Sequence, residues 1–99
     1  MKRFVISAGA RQDIDEIASY TRRTWSLQQT DRYLSQLEDG FQLLAQNRTI
    51  GRPCKEIDPE LRRFEVGKHV VYFRLRRDGI RIVRILHQQM IPVKTHFES

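Results

Sequence analysis

The 99-residue sequence has a single cysteine and no long apolar run. Its longest uninterrupted apolar run, Val70 to Phe73, is far shorter than the roughly 20 residues that a membrane-spanning helix requires. Phe4 to Ile6 is likewise too short for the apolar core of a secretory signal, which needs roughly 7 to 15 residues. One cysteine, Cys54, cannot form an internal disulfide or a cysteine-rich metal cluster. We therefore expect a cytoplasmic protein that does not enter the membrane.

The composition is that of a soluble globular protein with an excess of positive charge. Hydrophobic residues make up 39% and charged residues 30% of the chain, which predicts a folded domain. Its length predicts that residues 1–99 form a single domain. Residues 1–47 contain six basic and six acidic side chains, whereas residues 48–99 contain twelve and six. The net charge of +6 thus comes from the second half, and such a basic field favours nucleic acid or an acidic protein as a partner.

The first half of the sequence predicts one strand followed by two helices. A strand from Lys2 to Ile6 precedes Ser7, which is a typical helix N-cap residue. Apolar residues at helical spacing then continue as far as Trp25. Ser26 to Gln29 matches a capping box and marks the start of a second helix of roughly 20 residues. Gly40 inside this helix predicts the close approach of another backbone.

The second half predicts a loop and three strands. Residues 47–59 have no apolar period and are predicted to be a loop. Strands are predicted at Leu61 to Val66, at His69 to Arg76 and at Ile80 to Gln88. The order is therefore β-α-α-β-β-β. It predicts an α+β fold in which a helical hairpin packs on one face of a largely antiparallel sheet.

The Asp78-Gly79 dipeptide predicts a two-residue hairpin turn and, with it, a register. This register places Phe73 opposite Arg84 and Val71 opposite Leu86, on the face that we expect under the helices. It also places His69 and His87 on opposite faces. The tail from Gln89 to Ser99 shows no period and is expected to be unanchored.

Basic side chains on the strands and their flanks are the candidate functional feature. A positive, partly aromatic surface can hold phosphates or pair with an acidic helix. Alternatively, the charges serve solubility and prevent edge pairing. The three histidines have no metal-ligand spacing, and no catalytic set or metal site is predicted. Trp25, Tyr33 and Phe41 lie on the apolar stripes and are interpreted as core.

Several short blocks of sequence occur in an order that resembles a known family. They are Ala10-x-x-Asp13-Ile14-x-x-Ile17-x-x-Tyr20-Thr21, Trp25-Ser26-x-x-Gln29, Leu44-Ala45-x-Asn47, Gly51-Arg52, Leu61-Arg62-Arg63-Phe64-x-Val66-Gly67-x-His69-Val70 and Ile82-Val83-Arg84-Ile85-Leu86-His87, followed by Met90. This ordered set resembles the ParE toxins of the RelE/ParE superfamily, whose fold has the same order of elements.

The resemblance implies the toxin of a type II toxin–antitoxin system, a module associated with plasmid stabilisation. Such a toxin is not an enzyme and needs no cofactor: it poisons DNA gyrase by binding and is neutralised by a ParD-type antitoxin. It meets DNA only indirectly, through the antitoxin or the gyrase complex. On this interpretation the residues that bind the target or partner are Arg62, Arg63, His69, Arg74, Arg81, Arg84, His87 and Met90.

Two alternatives stay open. The RelE branch of the superfamily cleaves messenger RNA on the ribosome with basic residues and a C-terminal tyrosine or a histidine. Here His69 and Met90 stand where that branch carries basic residues, and all the tyrosines precede the last strand. His87 together with Arg62, Arg63 and Arg84 could still imitate part of such a site. The other alternative is a binding module without toxicity. Ser26 and Ile91 also differ from the residues typical of ParE toxins, which carry glycine and aspartate there.

Overall fold

Two helices separate the first strand from the remaining strands in the computed structural model, which describes residues 3–98. The elements are β1 (Arg3–Ile6), α1 (Ala8–Thr24), α2 (Leu27–Gln46), β2 (Arg52–Pro53), β3 (Leu61–Val66), β4 (His69–Arg76), β5 (Gly79–His87) and a C-terminal 3-10 helix (Lys94–Phe97). The α+β fold with a helical hairpin on a largely antiparallel sheet is confirmed. Lys2, the predicted start of the first strand, lies outside the described residues.

Both helices begin at the predicted caps. The Ser7 side chain accepts a hydrogen bond from the Ala10 amide, 3.0 Å away. Ser26 and Gln29 form the predicted capping box, in which each side chain bonds the backbone N–H of the other residue. These bonds satisfy donors that a helix start otherwise leaves without partners, so α2 can follow α1 directly.

The sheet has the strand order β1-β5-β4-β3-β2. β1 runs parallel to β5, and the other neighbours are antiparallel. β2, Arg52–Pro53, lies inside the segment that we predicted to be a loop, so that prediction is wrong at this point. Two residues are too few to show the alternation of apolar and polar side chains that marks a strand. They are a strand because they pair with β3, and this pairing does not depend on local sequence.

Both faces of the sheet carry a buried apolar cluster. The helix-side cluster contains residues of α1, α2 and the strands, including Leu37, Phe41 and Phe73. On the far side, Leu61 and Tyr72 belong to a second cluster. The C-terminal 3-10 helix contributes to it and covers part of that face. The prediction of an unanchored tail is therefore wrong. Phe97 is buried, with its ring 4.8 Å from that of Tyr72, and a single aromatic residue in a segment without an apolar period was too weak a signal to show it.

The turn between β4 and β5 consists of Arg77 and Asp78, so the predicted Asp78-Gly79 turn is displaced by one residue. Arg76 pairs with Gly79, which also pairs with Arg3 of β1. A Cβ atom on Gly79 would lie 1.7 Å from the carbonyl oxygen of Arg3. Gly79 is thus needed inside the strand, where β1 approaches closely, and the turn forms before it.

A β-bulge in β5 changes the register along the hairpin. Phe73 pairs with Ile82, whereas Tyr72 pairs with Arg84, which leaves Val83 without an opposite residue. The predicted pairing of Phe73 with Arg84 is therefore wrong. An extra residue in one strand reverses the alternation of side chains between the two faces.

Beyond the bulge, the residues of β5 face the sides opposite to those predicted. Ile85 pairs with Val71 and lies in the helix-side cluster, while Leu86 lies in the far-side cluster. The predicted pairing of Val71 with Leu86 is therefore wrong. His69 pairs with His87, so the two histidines share one face, contrary to the prediction. No propensity within β5 signals the bulge.

Gly40 marks a close approach, as predicted, but the neighbour is a side chain and not a backbone. A Cβ atom on Gly40 would lie 2.9 Å from Cγ2 of Val66 on β3. The glycine therefore allows α2 to lie close to the sheet.

Candidate functional site

The predicted basic residues do not form one surface. Arg63, Arg74 and Arg81 lie on the far side of the sheet, away from the helices, because their cross-strand partners lie there. The Arg63 guanidinium lies 5.9 Å from the ring centroid of Tyr72. Arg74 forms a 3.2 Å ion pair with Asp58 and pairs across the strands with Arg81. We call Arg63, Arg74 and Arg81 the basic far-side patch.

Arg62 faces the other way and serves the structure of a loop. It pairs with Phe73 on the helix side of the sheet. Its guanidinium donates a hydrogen bond to the carbonyl oxygen of Gly51, and its buried Nε has no partner within residues 3–98. Arg62 is therefore separated from the basic far-side patch by the sheet.

Arg84 lies at the bulge and is fixed by α1. Its Nε and Nη2 donate to the two carboxylate oxygens of Asp13, at 2.7 and 2.9 Å. Its Nη1 donates to the carbonyl oxygen of His96, 3.0 Å away. The hydrogen bonds to Asp13 raise the pKa of Arg84 above its ordinary value. Each guanidinium nitrogen is thus engaged inside the protein.

His69 is held by a buried tyrosine of α2. The hydroxyl of Tyr33 lies 2.5 Å from Nδ1 of His69 and accepts a 3.0 Å hydrogen bond from the amide of Lys68. Burial and, to a smaller extent, the nearby His87 lower the pKa of His69 from 6.5 to about 4, and the carboxylate of Asp13 opposes this shift. Burial also raises the pKa of the Tyr33 hydroxyl. His69 is therefore neutral near pH 7.

A cleft of about 500 Å³ opens between α1 and the ends of β4 and β5. This volume is within the range of small-molecule pockets. His69, His87, Arg84 and Met90 of the predicted site line it. Further lining residues are Asp13, Glu16, Ile17, Tyr20, Thr21, Thr24, Trp25, Tyr33, Lys68, Ile85 and Leu86. The structure thus brings four of the predicted residues together and leaves the three arginines of the far-side patch and Arg62 elsewhere.

Two residues of this region were missed by the reasoning from sequence. Asp13 lies between Ala10 and Ile17 on the apolar stripe of α1, and a carboxylate at such a position was a readable signal for a buried ion pair. Tyr33 also lies on an apolar stripe, where a tyrosine that bonds a histidine is indistinguishable from a core residue. It is buried as interpreted, but its hydroxyl reaches His69.

The structure separates the residues that the ribonuclease alternative would need. Arg62 and Arg63 lie on opposite faces of the sheet, so the structure does not assemble them with His87 and Arg84 into a ribonuclease-like set. A histidine with a pKa of about 4 is a weak general base near pH 7. Among residues 3–98, no three histidine, cysteine or acidic side chains are grouped as metal ligands. No helix in the same part of the chain is long and apolar enough to span a membrane.

Comparisons with known proteins agree on one family. Residues 4–92 match the family model for the ParE toxin of the type II toxin–antitoxin system parDE. Toxin ParE1 of Mycobacterium tuberculosis is 36% identical over 89 residues, which cover 89% of this chain and 91% of that protein. Toxin ParE1 of Caulobacter vibrioides is 33% identical over 92 residues, covering 91% and 93% of the two chains.

Two further matches are a protein and a solved structure. Toxin ParE of Escherichia coli is 36% identical over 92 residues, covering 91% of this chain and 88% of that protein. A structure described as the chromosomal ParDE TA system from P. aeruginosa superposes with a TM-score of 0.76. It covers 88% of this chain and 96% of that chain at 21% identity, and so supports the fold.

Proposed function

The chain belongs to the ParE toxin family of type II toxin–antitoxin systems, as its sequence blocks predict, and we propose that it inhibits DNA gyrase by binding to it. On this proposal the protein makes and breaks no bonds itself and takes no cofactor. It acts in the cytoplasm, where it stabilises the complex between gyrase and cleaved DNA. The family match, which extends from β1 through the last strand to residue 92, is the observation that carries the proposal.

Two parts of the surface are proposed to contact gyrase: the basic far-side patch and the segment after β5. Arg81 has no carboxylate partner among the described residues, so its charge is available to an acidic surface or to phosphates. The segment after β5 exposes Met90 and Ile91. A basic patch can steer a partner towards the protein, and exposed apolar side chains can bury area against it.

A ParD-type antitoxin is the proposed second partner. We expect its toxin-binding segment to cover apolar surface beside the helical hairpin, where Tyr20 and Leu27 are exposed. The antitoxin would then keep the toxin from gyrase and link it to operator DNA. Co-purification of the two chains in moderate salt is expected, because buried apolar contacts are not screened by ions. A complex that salt alone dissociates would contradict the apolar part of this proposal.

The proposed target is tested with the purified toxin, gyrase, supercoiled plasmid and ATP. Protease-treated DNA is run on a gel, and we expect linear DNA that requires both gyrase and toxin. Unchanged supercoiling with no linear DNA would contradict the proposal. The next assay would then be ribosome-dependent cleavage of messenger RNA, in which loss of cleavage by His87→Ala would favour the RelE-like alternative.

A further inference from the structure

The carboxylate of Asp13 is buried and fully engaged by β5. One oxygen accepts hydrogen bonds from Arg84 Nε and from the amide of Ile85, at 2.7 and 2.8 Å. The other accepts from Arg84 Nη2 at 2.9 Å. Such a two-pronged pair between arginine and carboxylate fixes both distance and orientation. It therefore locks the guanidinium at the bulge in one orientation relative to α1.

The same guanidinium reaches the C-terminal segment from its remaining side. Arg84 Nη1 donates to the carbonyl oxygen of His96, and the next residue, Phe97, is buried against Tyr72. At the other end of the segment, the amide of Met90 donates to the carbonyl oxygen of His87, 2.9 Å away. Residues 88–97, which we call the C-terminal segment, are thus held at both ends.

Between these two attachments the C-terminal segment displays apolar side chains to solvent. Ile91 is 82% exposed, Met90 47% and Val93 48%. Exposed apolar side chains on a segment with fixed ends can be buried by a partner at a lower entropic cost than those on a free tail.

We propose that Arg84 is a positioning residue, which together with Asp13 holds the C-terminal segment in place so that Met90, Ile91 and Val93 meet the toxin's target. Arg84 acts through this segment and does not touch the target itself. This inference rests on the proposed function only in taking the segment as a contact surface. It replaces the interpretation of Arg84 as a contact residue, because all three of its nitrogens are bonded within the protein.

The test compares Arg84→Met, Asp13→Asn and the double variant, with Arg52→Met and Asp15→Asn as matched controls. Arg52 also forms an ion pair, with Glu65, but it is exposed, and Asp15 is an exposed neighbour on α1. Asparagine at position 13 replaces one accepting oxygen by an NH2 group, so that a donor faces a donor and the ion pair with Arg84 is lost. Toxicity is measured as growth arrest on induction, and order in the C-terminal segment as amide hydrogen exchange of the purified variants.

If Arg84 is a positioning residue, each single variant raises the amide exchange rate of His96 and Phe97 about tenfold and weakens growth arrest. The double variant then arrests growth no less than the more impaired of the two single variants, because both changes break the same ion pair. The controls behave as the unchanged protein. If Asp13→Asn, which releases the guanidinium, kept full growth arrest while Arg84→Met abolished it, Arg84 would contact the target and the inference would be overturned.

A second variant leaves the pair of Asp13 and Arg84 in place. Replacing Met90, Ile91 and Val93 by serine removes apolar side chains that are at least 47% exposed, so exchange of His96 is expected to stay unchanged while growth arrest is lost. Full growth arrest by this variant would overturn the inference. Because growth arrest and exchange do not depend on which target is bound, a toxin that arrests growth without affecting gyrase would contradict the proposed function alone.

Discussion

His69 and His87 are paired across β4 and β5 with their ring centroids 5.4 Å apart. The bulge at Val83 produces this pairing: with the register of the turn continued, His69 would lie opposite Leu86. One extra residue in β5 therefore turns His87 to the helix side of the sheet. There it lies beside a neutral His69 that is bonded to Tyr33.

The stability of the protein is expected to depend on His69 between about pH 4 and 6.5. The pKa of His69 is lowered on folding, so the unfolded chain binds the proton more readily. The contribution is fully present above pH 6.5 and is lost as the pH falls towards 4. Denaturant unfolding from pH 4 to 7.5 is the measurement, with NMR titration of the imidazole. His69→Asn should flatten this part of the profile, whereas an NMR midpoint for His69 near 6.5 would contradict the prediction.

Tyr33→Phe is expected to destabilise the protein by about 1 to 2 kcal/mol. The change leaves the ring in place but removes the hydroxyl that joins His69 and the amide of Lys68. Urea unfolding measures the effect. Tyr20→Phe is the control, since Tyr20 is 59% exposed and should tolerate the loss of its hydroxyl. Equal stability of the two variants would show that the Tyr33 hydroxyl contributes nothing.

Arg81→Glu is expected to weaken gyrase inhibition about tenfold, equivalent to about 1.4 kcal/mol, without unfolding the protein. A glutamate at position 81 would face Arg74 across the strands as an opposite charge, so the sheet should tolerate it. The toxin concentration that half-inhibits supercoiling is measured. Arg11→Glu, an exposed change of the same charge in the helical layer, is the control.

Reversing either of two other arginines would not test the same surface. Arg62 bonds the loop carbonyl of Gly51, and Arg84 bonds the buried Asp13. Loss of activity on reversal at these positions would report broken internal structure. If Arg81→Glu and Arg74→Glu both inhibited gyrase as well as the unchanged protein does, the basic far-side patch would not be the contact surface.

Gly40→Ala is expected to destabilise the protein, although alanine is the better helix former by about 1 kcal/mol. The added methyl group would meet the branched side chain of Val66, which cannot easily turn away. In a Val66→Ala background the sign should reverse, and Gly40→Ala should then stabilise by about 0.5 to 1 kcal/mol. The measurement is urea unfolding of the unchanged protein, the two single variants and the double variant. A destabilising effect in both backgrounds would place the conflict elsewhere.

Much of the fold could be predicted from local sequence. Ser7 and Ser26 mark the helix starts because a capping side chain bonds an amide only three residues away. The bounds Leu61–Val66 and His69–Arg76 agree with the prediction because both strands are rich in β-forming residues and Gly67, with φ +57°, makes the turn between them.

The candidate site could be predicted less well, since it depends on register and on distant contacts. Arg62 and Arg63 are neighbours in sequence yet face opposite sides of the sheet. The partner of Arg84 on α1, Asp13, is 71 residues away along the chain. The opposite orientations of Arg62 and Arg63 follow from the alternation of side chains along the predicted strand, but which of them faces the helices does not, and nothing near Arg84 in sequence indicates its partner on α1.

The sequence by itself determined the family, the order of the main elements and the helix starts, because each depends on residue identities in order or on bonds between near neighbours. Only the tertiary structure decided which basic residues share a surface. The close fit of Gly79 against Arg3 places the turn at Arg77 and Asp78, one residue before the predicted position. The bulge at Val83 then directs Ile85 and His87 towards the helices. The side chains of a strand alternate with a period of two, so one inserted residue exchanges the two faces beyond it.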